Sequence, residues 1–200
     1  MTTLYLTLGA SGGIWTGKPN AQTGTGVLHK ETSGTSESLY QSAASNVTTT
    51  STFKAVVVGY GGSILLSNRV GNNTGTWATV HSATQPLLAV AYGNGHWVAA
   101  GNNNLVLTSS NGSTWTEKAG AVKGAQWTWA AYGNGTFVVV GGFINKGKDT
   151  GVVMFSTDNG ATWTRGNAGG ASHLQSVAYS PQLNVFVAVG TDGSLVSVNG

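Results

Sequence analysis

The sequence predicts an all-β domain, a small β-propeller of about four four-stranded antiparallel blades. Two compositional observations and one repeat lead to this prediction. Charged residues make up 8% of the 200-residue chain, against about 25% in an average globular protein. Glycine, threonine and valine are abundant and disfavour helices through backbone entropy or stiffness at χ1, so we expect almost no helix. A similar unit also recurs at the roughly 40- to 50-residue spacing of a propeller blade.

The apolar content is high enough for one sizeable core, so we treat residues 1–200 as a single domain. Apolar residues are 40% of the chain and include seven Trp, six Tyr and five Phe. The chain contains no cysteine, which excludes disulfides and thiolate metal sites. Residues 1–8 lack the positive region of a standard signal peptide, and no run approaches the ~18 apolar residues of a membrane helix.

A glycine closes the second strand of each repeat. These glycines are Gly59, Gly101, Gly141 and Gly190, spaced 42, 40 and 49 residues apart. The two most similar copies are 87–101 and 127–141, which share Ala-Tyr-Gly-Asn-Gly before the second strand. A copy with a longer turn lies at 174–190, and a degraded copy lies at 39–59.

Each copy continues in the same way after its glycine. An apolar third strand follows, at 64–66, 105–107, 152–155 and 195–198. A turn rich in Gly and Asn then ends in Thr-Trp at 76–77, 114–115 and 162–163 and opens a fourth strand. The predicted blades are therefore approximately 38–81, 86–120, 127–167 and 173–200.

The last copy supplies only three strands, whereas the N-terminal residues offer spare strands at 4–8 and 14–16. We expect residues 1–16 to complete the C-terminal blade and close the ring, because closure removes open sheet edges. Residues 17–37 are polar and predict a long connection with one strand at 26–29. An open stack, or a ring completed by another subunit, is the alternative.

The turn from Ser156 to Trp163 reads Ser-Thr-Asp-Asn-Gly-Ala-Thr-Trp and matches the Asp-box pattern Ser-x-Asp-x-Gly-x-Thr-Trp. The segment 108–115 keeps Gly112, Thr114 and Trp115 but has Ser110 at the Asp position. Residues 38–200 thus resemble the Asp-box (BNR, sialidase-like) propellers, and are similar to photosystem assembly-factor propellers and to propeller modules of bacteriophage virions. The resemblance implies a structural turn formed by these residues: Ser156, Asp158, Gly160, Thr162 and Trp163.

Enzymatic activity is not expected. A sialidase needs three arginines for the substrate carboxylate, and this chain has only Arg69 and Arg165. The six carboxylates lie in predicted loops without the facing pair that other glycosidases need. The four histidines show no metal-ligand spacing, so we predict no catalytic residue, no metal site and no cofactor.

The loops after the second and fourth strands lie on one face of a meander blade and carry most of the charge. Candidate ligand-binding residues there are Lys118, Lys123, Lys146, Lys148 and Asp149. The alternative is that these lysines only keep the surface soluble. We expect Trp127 and Trp129 to share one strand face and to pack between blades; an exposed Trp127 near Lys123 would instead stack on a sugar.

These features favour a non-enzymatic binding or assembly module, a structural or host-recognition component of a phage virion. Its partners would be other virion proteins or surface glycans, and a homo-oligomer stays open. The basic residues are too scattered for nucleic-acid binding, and no membrane insertion is expected. The alternative is a lectin-like or assembly-factor propeller in the bacterial cytoplasm or outside the cell.

Overall fold

The computed structural model of the chain describes residues 5–19, 26–45, 53–69, 76–192 and 194–198. These ranges consist of antiparallel strands and their connections, with one short 3-10 turn at Asn102–Asn104. The prediction of an all-β chain with almost no helix is confirmed. No helix in these ranges is long and apolar enough to cross a membrane.

The strands form five sheets in which consecutive strands pair. The first sheet contains β1 (Tyr5–Leu8), β2 (Ile14–Pro19) and β3 (Gly26–Glu31). The second contains β4 (Leu39–Ala44), β5 (Phe53–Gly59), β6 (Ser63–Arg69) and β7 (Trp77–Ser82). The third contains β8 (Leu87–Gly93), β9 (His96–Gly101), β10 (Leu105–Ser109) and β11 (Thr116–Ala119). The fourth contains β12 (Gln126–Gly133), β13 (Thr136–Asn145), β14 (Lys148–Ser156) and β15 (Thr164–Arg165). The fifth contains β16 (Leu174–Ser180), β17 (Val185–Gly190) and β18 (Ser194–Val198).

Sheets two to five overlap the four blade ranges read from the sequence, and the strand expected at 26–29 lies within β3. Parts of several predictions fall outside the described residues: positions 1–4 of the segment 1–16, 20–25 of the connection 17–37, 46–52 and 70–75 of the blade 38–81, and 193, 199 and 200 of the last blade.

The pairing expected between residues 1–16 and the C-terminal blade is not among the ladders of the described ranges. Instead β1 pairs with β2, from Tyr5 opposite Gly17 to Leu8 opposite Ile14, and β2 pairs with β3. A tight turn joins β1 to β2, and the Gly9 amide donates to the Gly13 carbonyl at 3.0 Å. Closing this short loop loses less chain entropy than pairing with a strand near the other end of the chain. The N-terminal residues therefore form a sheet of their own, the first of the five sheets.

Two of the repeat glycines, Gly101 and Gly141, lie directly against backbone atoms at the start of the first strand of their sheet. In the strand ladders, Gly101 lies opposite Leu87 of β8, and Gly141 lies opposite Trp127 of β12. A Cβ atom on Gly101 would lie 1.9 Å from the Pro86 carbonyl oxygen, and one on Gly141 would lie 2.0 Å from the Gln126 oxygen. Backbone atoms cannot yield to such contacts, so glycine is required at Gly101 and Gly141.

Four apolar clusters fill the spaces between consecutive sheets. One lies between sheets one and two, one between two and three, one between three and four, and one between four and five. A tyrosine of the later sheet also covers a glycine of the earlier sheet: a Cβ on Gly93 or Gly133 would lie 2.0 or 2.1 Å from the ring of Tyr132 or Tyr179. The sheets therefore stack in chain order, as the repeat predicts.

Candidate functional site

The connections of sheets three to five gather on two sides of the stack. The connections after second and fourth strands form one side, which we call the loop face. It comprises residues 102–104, 120–125, 143–150 and 166–173. On this face the Asn104 side-chain oxygen accepts hydrogen bonds from the Val122 amide and the Trp127 indole, both at 3.3 Å. The Gly151 amide donates to the Ala171 carbonyl at 2.8 Å. The connections after second strands are therefore held by hydrogen bonds to the connections after fourth strands and to the residues beside them.

The most prominent part of the loop face is the hairpin of β13 and β14. These strands have ten and nine residues, and Asn145 pairs with Lys148 around a two-residue turn. Lys146 and Gly147 have φ values of 50° and 79°, the left-handed conformation that suits a two-residue hairpin turn. At the tip Ile144 is 68% exposed, and Lys146 and Lys148 are also exposed.

The base of this hairpin is anchored by three contacts. Phe143 is half-buried against the cluster between sheets three and four, and the Arg165 guanidinium carbon lies 5.9 Å from its ring centroid. This is the range of a cation–π interaction. On the neighbouring strand, Asp149 Oδ1 lies 3.3 Å from Nδ1 of His173. A Cβ on Gly142 would overlap both side chains, so glycine admits their contact.

The structure places the expected ligand-binding residues in three surroundings. Lys123, Lys146 and Lys148 are exposed on the loop face, and Asp149 is half-buried against His173. Lys118 instead lies on β11 opposite Val106 and lines a groove elsewhere on the third sheet.

Trp127 does not provide an exposed aromatic ring. Its side chain is 0% exposed within the cluster between sheets three and four. The expectation that Trp127 and Trp129 pack between blades is confirmed, but the expectation that they share a strand face is wrong, because Trp129 packs in the cluster between sheets four and five. The ladder of β12 and β13 shifts register between these two residues, and the extra residue, Thr128, reverses the alternation. Sugar stacking on Trp127 is therefore excluded in this fold.

The opposite side of the stack, which we call the turn face, carries the connections between first and second and between third and fourth strands. In the Ser156–Trp163 turn, Asp158 accepts from the Thr162 amide at 2.9 Å and from the Thr162 hydroxyl at 2.6 Å. Ser156 donates to Asp158 and accepts from the Gly160 amide, at 2.7 and 2.8 Å. The hydrogen bonds from Thr162, and then that from Ser156, lower the pKa of Asp158 to about 2.

The equivalent turn of the third sheet is held by residues other than those that the alignment of 108–115 with the Asp-box pattern indicates. Ser109 Oγ accepts from the Gly112 amide at 2.8 Å, and Asn111 Oδ1 accepts from the Thr114 amide at 2.8 Å. Asn111 thus takes the role of Asp158, and the assignment of Ser110 to the Asp position is wrong. The turn is one residue shorter before its glycine, which displaces an ungapped alignment by one position. The serine at the end of the third strand is the signal that would have found this register.

A polar groove of about 400 Å³ opens beside this turn. Its walls are lined by hydroxyl-bearing residues, among them Thr108, Ser110, Thr114 and Thr116, and by His96 and Lys118. Lys54 of the second sheet donates to the Asn111 carbonyl at 2.6 Å. Hydroxyl groups next to cationic side chains suit a hydroxylated or anionic small molecule.

Five of the six carboxylates take part in local hydrogen bonds. Glu31 accepts from the Thr16 hydroxyl, Glu37 from the Gly61 amide, Asp158 from Thr162 and Asp192 from the Ser172 hydroxyl, while Asp149 contacts His173. These pairs are spread over different sheets and loops. In the described part of the chain, no group of three or more His, Asp or Glu side chains is arranged to hold a metal ion.

Comparison with known proteins identifies the architecture. The chain is similar to the computationally designed Ika4 protein, with a TM-score of 0.55 and 16% identity over 82% of this chain and 92% of that chain. It is also similar to the WD40 β-propeller domain of Doa1, with a TM-score of 0.56 and 11% identity over 82% of this chain and 52% of that chain. No protein-family model and no curated protein matches the sequence. The five stacked meanders and these two likenesses show that the fold is a β-propeller.

Proposed function

We propose that the protein is a non-enzymatic recognition and assembly module, a structural or host-recognition component of a phage virion. The propeller fold suggests a binding or scaffold role. The observation that carries the proposal is the hairpin of the loop face, which presents Ile144, Lys146 and Lys148 to solvent on an anchored base. Exposed loops on a rigid scaffold commonly provide recognition.

The arrangement of the carboxylates favours a recognition function over a hydrolytic one. A glycosidase needs two carboxyl groups facing each other across a cleft. Here Asp158 is held by its own turn, Asp149 by His173 and Asp192 by Ser172. Such side chains are engaged in supporting loops and turns.

Two further features support a particle-associated role. The surface is sparsely charged, and the chain is rich in Gly and in β structure, which suits a component that must persist outside cells. We propose that the repeats belong to the Asp-box class, because the hydrogen bonds of Asp158 and Asn111 serve their turns. Other virion proteins or host surface glycans are the partners that this proposal names.

The proposal is tested by particle association and by its loss in hairpin variants. The protein should co-purify with phage particles in mass spectrometry of a gradient-purified lysate. Ile144→Ser and the double variant Lys146→Ala/Lys148→Ala should weaken incorporation or host adsorption at unchanged thermal stability. Leu183→Ser is the matched control, because Leu183 is 73% exposed in the turn between β16 and β17 on the turn face. A protein that is absent from particles, or variants that behave like the control, would contradict the proposal.

A carbohydrate-binding role is the second candidate, and the groove beside the Asn111 turn favours it. Hydroxyl groups with His96 and Lys118 can contact a hydroxylated ligand that carries negative charge. Glycan-array binding should fall on Lys118→Ala or Thr116→Val and stay unchanged on Glu117→Gln, which alters an exposed residue of the same strand. An array without any bound glycan would remove this candidate, and association with a cellular complex would favour an assembly factor in its place.

A further inference from the structure

The fifth sheet exposes a face whose equivalent is covered in each of the four-stranded sheets. Counted back from the repeat glycine, Val187 and Val189 hold the third and first positions, as Val138 and Val140 do in the fourth sheet. These positions are 0–6% exposed in sheets two, three and four: Val56, Val58, Val98, Ala100, Val138 and Val140. In the fifth sheet they are 36% and 43% exposed. The fifth sheet thus carries an apolar face of the kind that a following sheet buries.

An aromatic side chain of the following sheet contributes to each covered face. It is the second residue of the second strand: Trp97, Phe137 or Phe186. Trp97 packs in the cluster with Val56 and Val58, and Phe137 in the cluster with Val98 and Ala100. The complementary surface for Val187 and Val189 is therefore a sheet with an aromatic residue at this place.

The first sheet has this feature. Trp15 is the second residue of β2, and the preceding residue, Ile14, packs against the second sheet. Because side chains alternate, Trp15 lies on the other face, which it shares with Leu28 opposite Gly17. Trp15 is half-buried, and Leu28 is exposed. The Trp15 face of the first sheet can therefore cover the face that carries Val187 and Val189. In the described ranges, no earlier sheet packs against this Trp15 face.

We propose that the Trp15 face of one copy packs on the Val187 face of a second copy, and that two such contacts join two chains into one ring. In the described residues no ladder and no apolar cluster combines the first and fifth sheets. The similarity to Doa1 covers 82% of this chain and 52% of that chain, so the Doa1 propeller extends beyond the part that these sheets match. Head-to-tail contacts close when the rotation between copies completes a ring.

Oligomeric state is the first test. Sedimentation velocity of the purified chain should show a concentration-dependent dimer. Val187→Asp should raise the dimer dissociation constant by roughly tenfold or more, because it buries a charge in an apolar contact. Leu183→Asp, at an exposed position outside this face, should leave it unchanged, and circular dichroism should show that both variants are folded. A wild-type chain that is monomeric at all concentrations would overturn the proposal.

Cross-linking then separates a second copy from closure within one chain. The chain has no cysteine, so Leu28→Cys and Val187→Cys each introduce a single thiol. A mixture of the two single variants should form a covalent dimer with a short bis-maleimide, and each variant alone should form far less. A double variant that is cross-linked only within a monomer would overturn the proposal in favour of closure by the chain's own first sheet.

Discussion

The side-chain amide of Gln41 forms two hydrogen bonds with the backbone of Ala130, 89 residues further along the chain. Gln41 Nε2 donates to the Ala130 carbonyl at 2.9 Å, and Oε1 accepts from the Ala130 amide at 3.2 Å. The same Oε1 accepts from the Val90 amide at 3.0 Å. One buried side chain therefore connects the first strands of the second, third and fourth sheets.

Replacing Gln41 with leucine should destabilise the protein by about 2–4 kcal/mol, because buried backbone groups lose their partners. Urea unfolding followed by tryptophan fluorescence gives this free energy. Gln175→Leu is the matched control, since Gln175 is exposed on the first strand of the fifth sheet, and it should change stability little. Equal stability of Gln41→Leu and wild type would show that the connection between the three sheets contributes nothing.

The Asp158 turn should make stability depend on pH. The folded carboxyl has a pKa of about 2, lowered from 3.8, so the unfolded chain binds the proton first as pH falls. The contribution of Asp158 is complete above about pH 4 and is lost as pH falls towards 2. Urea midpoints should therefore differ between wild type and Asp158→Asn at pH 6 and converge near pH 2. Glu117→Gln should not reproduce this pattern, and a pH-independent difference would contradict the assignment.

The shorter turn of the third sheet leads to different expected effects for substitutions at the adjacent residues Ser110 and Asn111. Asn111→Ala removes an acceptor of the Ser113 and Thr114 amides and should cost about 1–2 kcal/mol. Ser110→Ala should have little effect on the unfolding free energy. The reverse ranking would restore the ungapped alignment in which Ser110 holds the Asp position.

Packing between sheets four and five is tested at Gly133. A methyl group there would lie 2.1 Å from the Tyr179 ring, whose hydroxyl donates to Asn184 at 2.7 Å. Gly133→Ala should therefore destabilise the chain by about 2–3 kcal/mol through overpacking. In a double-mutant cycle with Tyr179→Ala, the two losses should sum to more than the loss in the double variant. Strict additivity would mean that the two residues do not contact each other.

Substitutions at Trp127 and Lys123 distinguish a residue of the core from an exposed residue of the loop face. Trp127→Ala should reduce stability by about 3–5 kcal/mol, because a large, fully buried side chain is deleted. Lys123→Ala, on the loop face, should leave the unfolding transition in place. A stable Trp127→Ala variant that had lost only binding would contradict the burial of this ring.

The glycine spacing made most of the sheet boundaries predictable, because the chemistry of a close backbone approach leaves a mark in the sequence. Gly101 and Gly141 cannot carry a Cβ beside a carbonyl oxygen, so they recur at the blade period. The alternation around Trp127 was not predictable in the same way. A bulge adds one residue to one strand, and neither Thr128 nor its neighbours have a composition that identifies it.

The surface positions of the candidate ligand-binding residues were predictable from the sequence only where the loops are long. The loops with Lys123, Lys146 and Lys148 were located from their length and charge, and these side chains are exposed. Lys118 was misplaced because the fourth strand of the third sheet continues to Ala119, which puts it on a strand and beside the groove. Contacts across sheets, such as that of Asp149 with His173, depend on stacking that a repeat period does not specify.

Lysine cross-linking of the protein within purified particles tests the central claim, recognition by the loop face, most directly. Mass spectrometry should find cross-links to partner proteins concentrated at Lys123, Lys146 and Lys148. Partner cross-links concentrated instead at Lys54 and Lys118, beside the groove of the third sheet, would contradict the account.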